Sequence, residues 1–450
     1  YLPAILEAQY SGVPLIVLSA DRPYTLLYTG APQTVDQQKI FGTAVNYYEE
    51  LSVPQDEHYY TYPRQVARKA YMKAIDTKKG PVHINIPLFE PLVPELDRKH
   101  FEAGRSPYKV FKPNYGDVFS YQNRSNNTSN ASNVSDVSDV SYTKNTTDNS
   151  ANNTNNFNNS NLLLTQYKRV LILAGPQIDI DEVESIHSFA ENLQAPILAD
   201  PLSNVRRCHK TGTIDDNHEV ASNRSNDTNM TQDKQVSDVV ISTYDAFLAD
   251  KELWPVLKPD CVIQFGQIVV SKRVQQMVAS WDNVEYIEVN PTMDSMNPTG
   301  KTTMHMQASI DMFTHLFAVK NESNAYLNRW QRLEVAGKAQ LSTAIEEPSC
   351  FEGRTIRELQ QHIPDNSQVL VANSMTVRDF DYFWLSGESD AVLYGNRGVN
   401  GIDGTVSTAL GLATNHQPTY LVTGDLSLFH DLNGLAVAKT HNLNLTIILH

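Results

Sequence analysis

Three α/β domains, each a doubly wound parallel sheet, with the first and last truncated, are the fold this sequence predicts. Two observations carry that prediction. Short apolar runs of strand length, among them VPLIVLSA at Val13, RVLILAG at Arg169, CVIQFG at Cys261, QVLVANS at Gln368 and TYLVTG at Thr419, alternate with stretches of helical periodicity. That alternation builds parallel sheets covered by helices. The chain also has 450 residues, more than the ~250–300 at which a single hydrophobic core stops growing.

Residues 1–95 read as the later part of one domain. Residues 2–9 form a helix, PLIVLSA a buried parallel strand, and Asp21-Arg22-Pro23 the loop that leaves its C-terminal end. Arg22 therefore stands at a ligand-facing edge. A turn over residues 30–33, closing on Gln33, leads into a second helical stretch, followed by a helix over 64–77 and the strand VHINIP at Val82. His83 within that strand reads as a satisfied core histidine. Residues 96–165 form a linker whose second part, 121–161, is an Asn/Ser-rich tract. Such a tract cannot bury enough apolar area to offset its ordering entropy and is read as a disordered insert. Its N-x-S/T triplets are a by-product of composition.

Residues 166–345 form a central domain: RVLILAG, a helix over 181–193, PILAD, a polar insert over about 217–238, a helix over 239–249, CVIQFG, a helix over 272–279 and VEYIEVN. LAGPQ lacks the GxGxxG spacing, which argues against a dinucleotide site. A helix over 326–343 bridges to residues 346–450. There 355–362 is helical, QVLVANS ends at Ser374, AVLYG ends at Gly395, TYLVTG ends ahead of Asp425, a helix spans 432–440, and LTIIL closes the chain.

The net charge of −15, from 36 basic and 51 acidic residues, argues against general nucleic-acid or anionic-membrane binding, which needs clustered cations. Three widely spaced cysteines without a CxxC point to a reduced, cytoplasmic compartment and no zinc site. No apolar run approaches the ~20 residues of a membrane span, so a soluble protein without membrane insertion is expected.

Two features are chemical. Glycines at 395, 398, 401 and 404 leave backbone N–H groups open to a ligand, and Asp425 follows a strand at a sheet's C-terminal edge. A strand, a Gly-Asp turn and a new helix together offer N–H donors and a metal-binding oxygen, an inventory that suits a magnesium diphosphate. A Gly-rich turn with a helix-capping Asp is the plain alternative. Arg22, Lys272, Arg273, Arg378 and Arg397 all lie in or just after strand-end loops, where a guanidinium can grip a carboxylate through two parallel hydrogen bonds. Each taken singly also reads as a solvated surface charge. His430 and Asp431, adjacent at a helix start, read as helix-terminal packing rather than an acid/base pair.

Four blocks, SADRPYTLLYTGAPQTVDQ at Ser19, IQFGQIVVSKR at Ile263, NSMTVRD at Asn373 and the Gly-rich run with GDLS at Gly424, resemble the thiamine-diphosphate enzymes. Among these they are most similar to the MenD-type 2-succinyl-5-enolpyruvyl-6-hydroxy-3-cyclohexene-1-carboxylate synthases of menaquinone biosynthesis. GDLS in place of the wider superfamily's Gly-Asp-Gly points to that branch rather than to acetolactate synthases. The resemblance implies thiamine diphosphate with Mg²⁺ or Mn²⁺, decarboxylation of 2-oxoglutarate, and conjugate addition of the succinyl unit to isochorismate. It implies Asp425 as metal ligand, Gly424 and Ser427 beside the diphosphate, and Ile402 as the apolar wedge under the bent cofactor. On sequence alone Ile402 reads equally as a plain core residue. Arg22 and Gln33, Lys272 and Arg273, and Ser374, Arg378 and Arg397 match substrate-side positions of the three domains in turn.

The resemblance also implies a homodimer or homotetramer, with the site between the first domain of one subunit and the last of another. No catalytic residue is assigned in this chain, because the family's activating glutamate is expected before Tyr1. A second metal-side Asn is expected about 27 residues after Asp425, past His450. On that reading this is an internal fragment and is inactive by itself. Two rival readings remain: another thiamine-diphosphate carboligase or decarboxylase, and a non-catalytic binding homologue.

Overall fold

The computed structural model describes residues 1–53, 61–89, 164–208, 238–292, 296–317, 320–321, 323–346 and 351–450. The Asn/Ser-rich tract over 121–161, the polar insert except for Asp238, and Cys350 lie outside the described residues. Residues 1–53, 70–88 and 162–450 form one unit, whose described residues include three parallel sheets. Residues 54–69 with 89–161 form a second, of which only 61–69 and Phe89 are described.

The first sheet has three strands, β1 (Leu15–Asp21), β2 (Tyr47–Glu50) and β3 (Pro81–Pro87), in the order β1-β3-β2. Central β3 is buried almost throughout. In contrast to the buried strand expected from PLIVLSA, β1 alternates, and Ile16 and Leu18 are 43% and 62% exposed. A strand at the edge of a sheet can carry the same apolar run as a central one, so composition alone does not separate them. The helical stretch expected after Gln33 is instead a series of turns ending in the short 3₁₀ helix Gly42–Ala44, and β2 follows it. In β2, residues two apart share a face, and each tyrosine hydroxyl donates to the carboxylate two residues on, Tyr47 to Glu49 and Tyr48 to Glu50. Backbone pairing with β3 makes a strand of this acidic tetrapeptide.

The central sheet has six strands, β4 (Val170–Ala174), β5 (Ile197–Ala199), β6 (Val240–Ile241), β7 (Cys261–Phe265), β8 (Glu285–Asn290) and β9 (Met304–Gln307), in the order β6-β5-β4-β7-β8-β9. This is a doubly wound order whose direction reverses between β4 and β7. Loops after those two strands cross in backbone contact: a Cβ at Gly175 would lie 1.6 Å from the Gln267 carbonyl oxygen, and Gln267 N donates to Pro176 O at 2.9 Å. Apolar clusters fill both faces, one around Ile172, Ile263, Phe265 and Phe313, the other around Leu173, Val262, Tyr286 and Trp330. The helix expected over 239–249 begins instead as β6 and turns helical only at Tyr244–Phe247. The β-branched pair Val240-Ile241 favours extended backbone beside β5. The helix Ala325–Glu346 docks on this edge, where Glu334 accepts from the main-chain N–H and hydroxyl of both Ser242 and Thr243.

The last sheet comprises β10 (Gln368–Val371), β11 (Val392–Tyr394), β12 (Thr419–Thr423) and β13 (Leu445–Leu449), ordered β11-β10-β12-β13. All three sheets are parallel, so each gathers its strand C-termini on one edge. Leu202 and Val270, from loops that follow β5 and β7, pack into the core of the last sheet beside Ile356, Val369, Val371 and Phe380. Among the described residues no helix is long and apolar enough to cross a membrane.

Candidate active site

The C-terminal edge of β12 supplies the first part of the site. Gly424 caps the helix Asp425–His430, and Asp425 is its first residue, exposed, with one carboxylate oxygen accepting the Leu426 N–H at 2.7 Å. Ser427 is buried, and its hydroxyl lies 3.3 Å from Ile402 O and 3.2 Å from Thr405 Oγ1. It thereby ties this turn to the Gly-rich loop. Ile402 is half-buried, and its carbonyl also accepts from Thr405 Oγ1. Gly404 caps the next helix with φ +67°, a left-handed conformation that glycine adopts without a Cβ penalty. Neither Gly398 nor Gly404 has a neighbour within 4 Å of where a Cβ would stand, so the loop presents bare backbone to open space.

Asn373, at the end of the QVLVAN segment, shapes that loop from below. Its amide donates to Asn396 O at 2.9 Å and Gly401 O at 2.6 Å, and its oxygen accepts from Arg397 Nη1. Ser374 follows with φ +70° and ψ −127°, a strained conformation for a non-glycine residue, and caps the helix Met375–Phe383 without a side-chain capping bond. Its exposed hydroxyl is thus left on the same edge.

Arg397 is half-buried, and its Nε is buried without a hydrogen-bond partner. Burial lowers the guanidinium's pKa; the Asp200 carboxylate opposes this and the nearby Arg378 adds to it. Arg378 is exposed on the helix Met375–Phe383. Two like charges are therefore held near each other, with the Asp200 carboxyl close by, whose pKa burial pushes up against the opposing pull of the Val270 and Leu202 N–H groups and of Arg397 and Arg206.

Lys272 is exposed at the first turn of the helix Lys272–Ala279. Arg273 is differently placed. Its guanidinium pairs with Asp245, donates to the Tyr382 hydroxyl at 3.0 Å and lies over the Tyr382 ring at 5.8 Å. Arg22 leaves β1 with its main-chain N–H on Asp21, and Gln33 is exposed with φ +56°. The structure thus gathers Ser374, Arg378, Arg397, Ile402, Gly424, Asp425 and Ser427 on one edge of the last sheet. Arg273 reaches the same helix from the central sheet, while Arg22 directly follows the C-terminal end of β1 in the first sheet and Gln33 lies in the exposed turns after it.

His430 pairs with Asp403 at 3.3 Å, and Asp431 accepts from the main-chain N–H and hydroxyl of Ser407. Both serve helix ends, as their adjacency suggests. His83 is fully buried. The Ser19 hydroxyl donates to Asn85 Oδ1 and so accepts from His83 Nε2, which leaves Nδ1 unpartnered. Sequence reasoning overlooked Asn373, Asp200 and Arg206. Asp200 ends the strand-like PILAD, the same strand-end position used to select the arginines, so that signal was available.

Among the described residues no group of three or more His, Cys, Asp or Glu side chains converges as a metal site. A divalent ion here would draw on Asp425 together with neutral oxygens and ligand oxygens, a donor set that suits Mg²⁺ or Mn²⁺.

A family model described as the middle domain of thiamine pyrophosphate matches residues 230–371. The chain is 40% identical to the 2-succinyl-5-enolpyruvyl-6-hydroxy-3-cyclohexene-1-carboxylate synthase of Lactococcus lactis subsp. cremoris, over all of this chain and 70% of the relative. It is 38% identical to that of Desulfitobacterium hafniense, again over all of this chain and 70% of the relative. Identity to that of Bacillus cytotoxicus is 33%, over all of this chain and 68% of the relative. With this similarity along its whole length, and with the strand-end aspartate, Gly-rich loop and paired arginines on one sheet edge, the chain belongs to the thiamine-diphosphate-dependent 2-succinyl-5-enolpyruvyl-6-hydroxy-3-cyclohexene-1-carboxylate synthase family.

Proposed function

We propose that this protein decarboxylates 2-oxoglutarate and adds the resulting succinyl unit to isochorismate, forming 2-succinyl-5-enolpyruvyl-6-hydroxy-3-cyclohexene-1-carboxylate in menaquinone biosynthesis. The observation that carries this reading is the pairing of Arg378 and Arg397 beside Ser374. A buried Nε without a partner and two neighbouring cations favour an anion between them. Both substrates are dicarboxylates, and a planar guanidinium is suited to such groups.

Thiamine diphosphate, when bound, supplies the electron sink that decarboxylation needs. Asp425 and Gly424 would hold its diphosphate through Mg²⁺ or Mn²⁺, with the exposed carboxylate as ligand and the glycine leaving room for the phosphate oxygens. Ser427, by joining Ile402 and Thr405, fixes the loop against which the cofactor would lie, and Ile402 gives it an apolar support. Arg378, Arg397 and Ser374 orient substrate carboxylates from the last sheet. Lys272 adds a cation from the central domain, and Arg273 steadies the helix that bears Arg378 while keeping part of its guanidinium fork available. Arg22 and Gln33 act from the first domain.

Oligomerisation as a homodimer or homotetramer is part of this reading. Leu426 and Phe429, 68% and 78% exposed on the helix that begins with Asp425, support a protein-covered edge there. Sedimentation of the full-length protein should give a dimer or tetramer; a monomer at micromolar concentration would contradict it.

The test of the activity is a substrate comparison. Full-length protein with thiamine diphosphate and Mg²⁺ should release carbon dioxide from 2-oxoglutarate and consume isochorismate. Turnover of pyruvate with isochorismate untouched would assign the protein to another carboligase or decarboxylase branch.

A further inference from the structure

The short segment 200–208, sequence DPLSNVRRC, leaves β5 of the central sheet and runs along the last sheet's strand ends. Its contacts there are dense. Asp200 is fully buried, and its two carboxylate oxygens accept Leu202 N at 2.9 Å and Val270 N at 2.8 Å. Val270 belongs to the loop that delivers Lys272 and Arg273. Leu202 lies against Gly395, where a Cβ would approach Leu202 Cδ1 to 2.7 Å. Asn204, with φ +62°, accepts Leu393 N at 2.9 Å and donates to Leu393 O at 3.2 Å, capping β11 two residues before the Gly-rich loop's Gly395.

Arg206 is the centre of this arrangement. It is 1% exposed, and a guanidinium has five N–H donors to satisfy. Nε donates to Ala199 O at 2.6 Å, and Nη1 donates to Asp381 O at 3.0 Å and Trp384 O at 2.6 Å. Nη2 donates to Asp381 Oδ1 at 2.8 Å and Tyr244 OH at 3.2 Å. Tyr244 in turn donates to the same Asp381 oxygen at 2.5 Å. Asp381 lies one turn beyond Arg378 on the helix Met375–Phe383, so this cluster fixes that helix from its inner side. Arg273, through Tyr382, holds the neighbouring residue of the same helix.

A buried ion pair of this kind returns little net stability, because desolvation consumes most of the attraction, and apolar residues of similar volume would serve a core as well. What five directed bonds do supply is a single geometry. We propose that segment 200–208 positions Arg378 and Arg397 for the substrate carboxylates, with Arg206 and Asp200 as its positioning residues. Arg206 sets the helix that carries Arg378. Asp200 links the Lys272–Arg273 loop to the segment, while Leu202 and Asn204 hold the strand end that leads to Arg397. This inference rests on the reading of Arg378 and Arg397 as carboxylate grips.

The experiment compares Arg206→Lys, which keeps the charge and loses the fork, with the milder Tyr244→Phe, both in the full-length holoenzyme. Steady-state kinetics, thiamine diphosphate affinity and melting temperature are read together. Arg206→Lys should raise the KM of at least one dicarboxylate substrate about tenfold, with kcat per folded site changed less than about threefold. Tyr244→Phe should move the same KM in the same direction by a smaller factor, and cofactor affinity should stay at the wild-type value in both. A lower melting temperature with unchanged KM in the surviving enzyme would make the cluster structural only and overturn the proposal. Should Arg206→Lys fail to fold, an unchanged KM in Tyr244→Phe overturns it equally. Arg378→Ala separates the two levels: if it leaves KM unchanged, the carboxylate reading fails; if it raises KM while the other variants do not, the positioning role alone fails.

Discussion

The two halves of the last sheet's C-terminal edge are built in opposite ways. Beyond β10 and β11, and in the segment after β5 that packs there, most polar groups are buried and matched, the Arg397 Nε excepted: Arg206 has a partner for each N–H, Asn373 spans the Gly-rich loop, and Asp200 bridges two loops of the central domain. Beyond β12, Asp425 is exposed and is followed by the exposed apolar side chains of Leu426 and Phe429. The first half is held by bonds within one chain, so the helix that bears Arg378 and the loop that bears Arg397 are set before any ligand arrives. The second half has its carboxylate in place and leaves the surrounding surface to be covered by the cofactor and by protein. Pre-organisation of the first kind lowers the cost of orienting a substrate, because the ordering is done at folding.

The largest effect is expected on the open half. Asp425→Ala in the full-length protein should lower turnover by about three orders of magnitude or more, since a charged metal ligand is removed. Titration of thiamine diphosphate with Mg²⁺ should show the loss as weakened cofactor binding, and wild-type affinity would show that Asp425 is not the ligand.

On the closed half, Arg378→Ala should cost about 2–5 kcal/mol in kcat/KM, the range for leaving a charged partner unpaired. The loss should fall on substrate terms, measured as kcat/KM with 2-oxoglutarate and isochorismate varied separately. An equal loss in cofactor affinity would mean that the two halves are not separable.

A smaller effect concerns Asp379, next to Arg378 but turned inward. Burial raises its carboxyl to about 6, with Glu352 adding to the shift and Arg378 opposing it. The folded state then holds a proton that the unfolded state, near 3.8, has already released. Stability should therefore fall as pH rises from about 4 to about 6, and the penalty is complete above that window. Asp379→Asn should accordingly stabilise the protein by about 1–3 kcal/mol at pH 7–8 and by nothing below pH 4. Denaturant titrations across that range check both the sign and the window, and a destabilised variant at pH 8 would contradict the assignment.

The same contrast explains what was legible in the sequence. The helix over 272–279 and the strands of all three sheets with long apolar runs follow from local periodicity, and so do the edge positions of Asp425, Arg378 and Arg397. The short strands β2 and β9 do not, because YYEE and MHMQ carry no apolar run and become strands only by pairing with β3 and β8. Arg206 was hidden for another reason: its carboxylate partner Asp381 lies 175 residues away, and nothing local distinguishes it from a solvated surface arginine. Arg273 was picked out by its neighbourhood, yet the structure gives much of its guanidinium to Asp245 and Tyr382. Position along a strand thus marks which residues reach the edge, whereas their partners are decided by packing between domains.

The most direct test of this division is the dissociation constant of thiamine diphosphate in Arg397→Ala, measured beside the KM for isochorismate in the same full-length preparation. KM should rise by about thirtyfold or more, with cofactor affinity unchanged. A cofactor affinity that weakens in step with KM would contradict the division, since substrate grip and cofactor clamp would then be one structure.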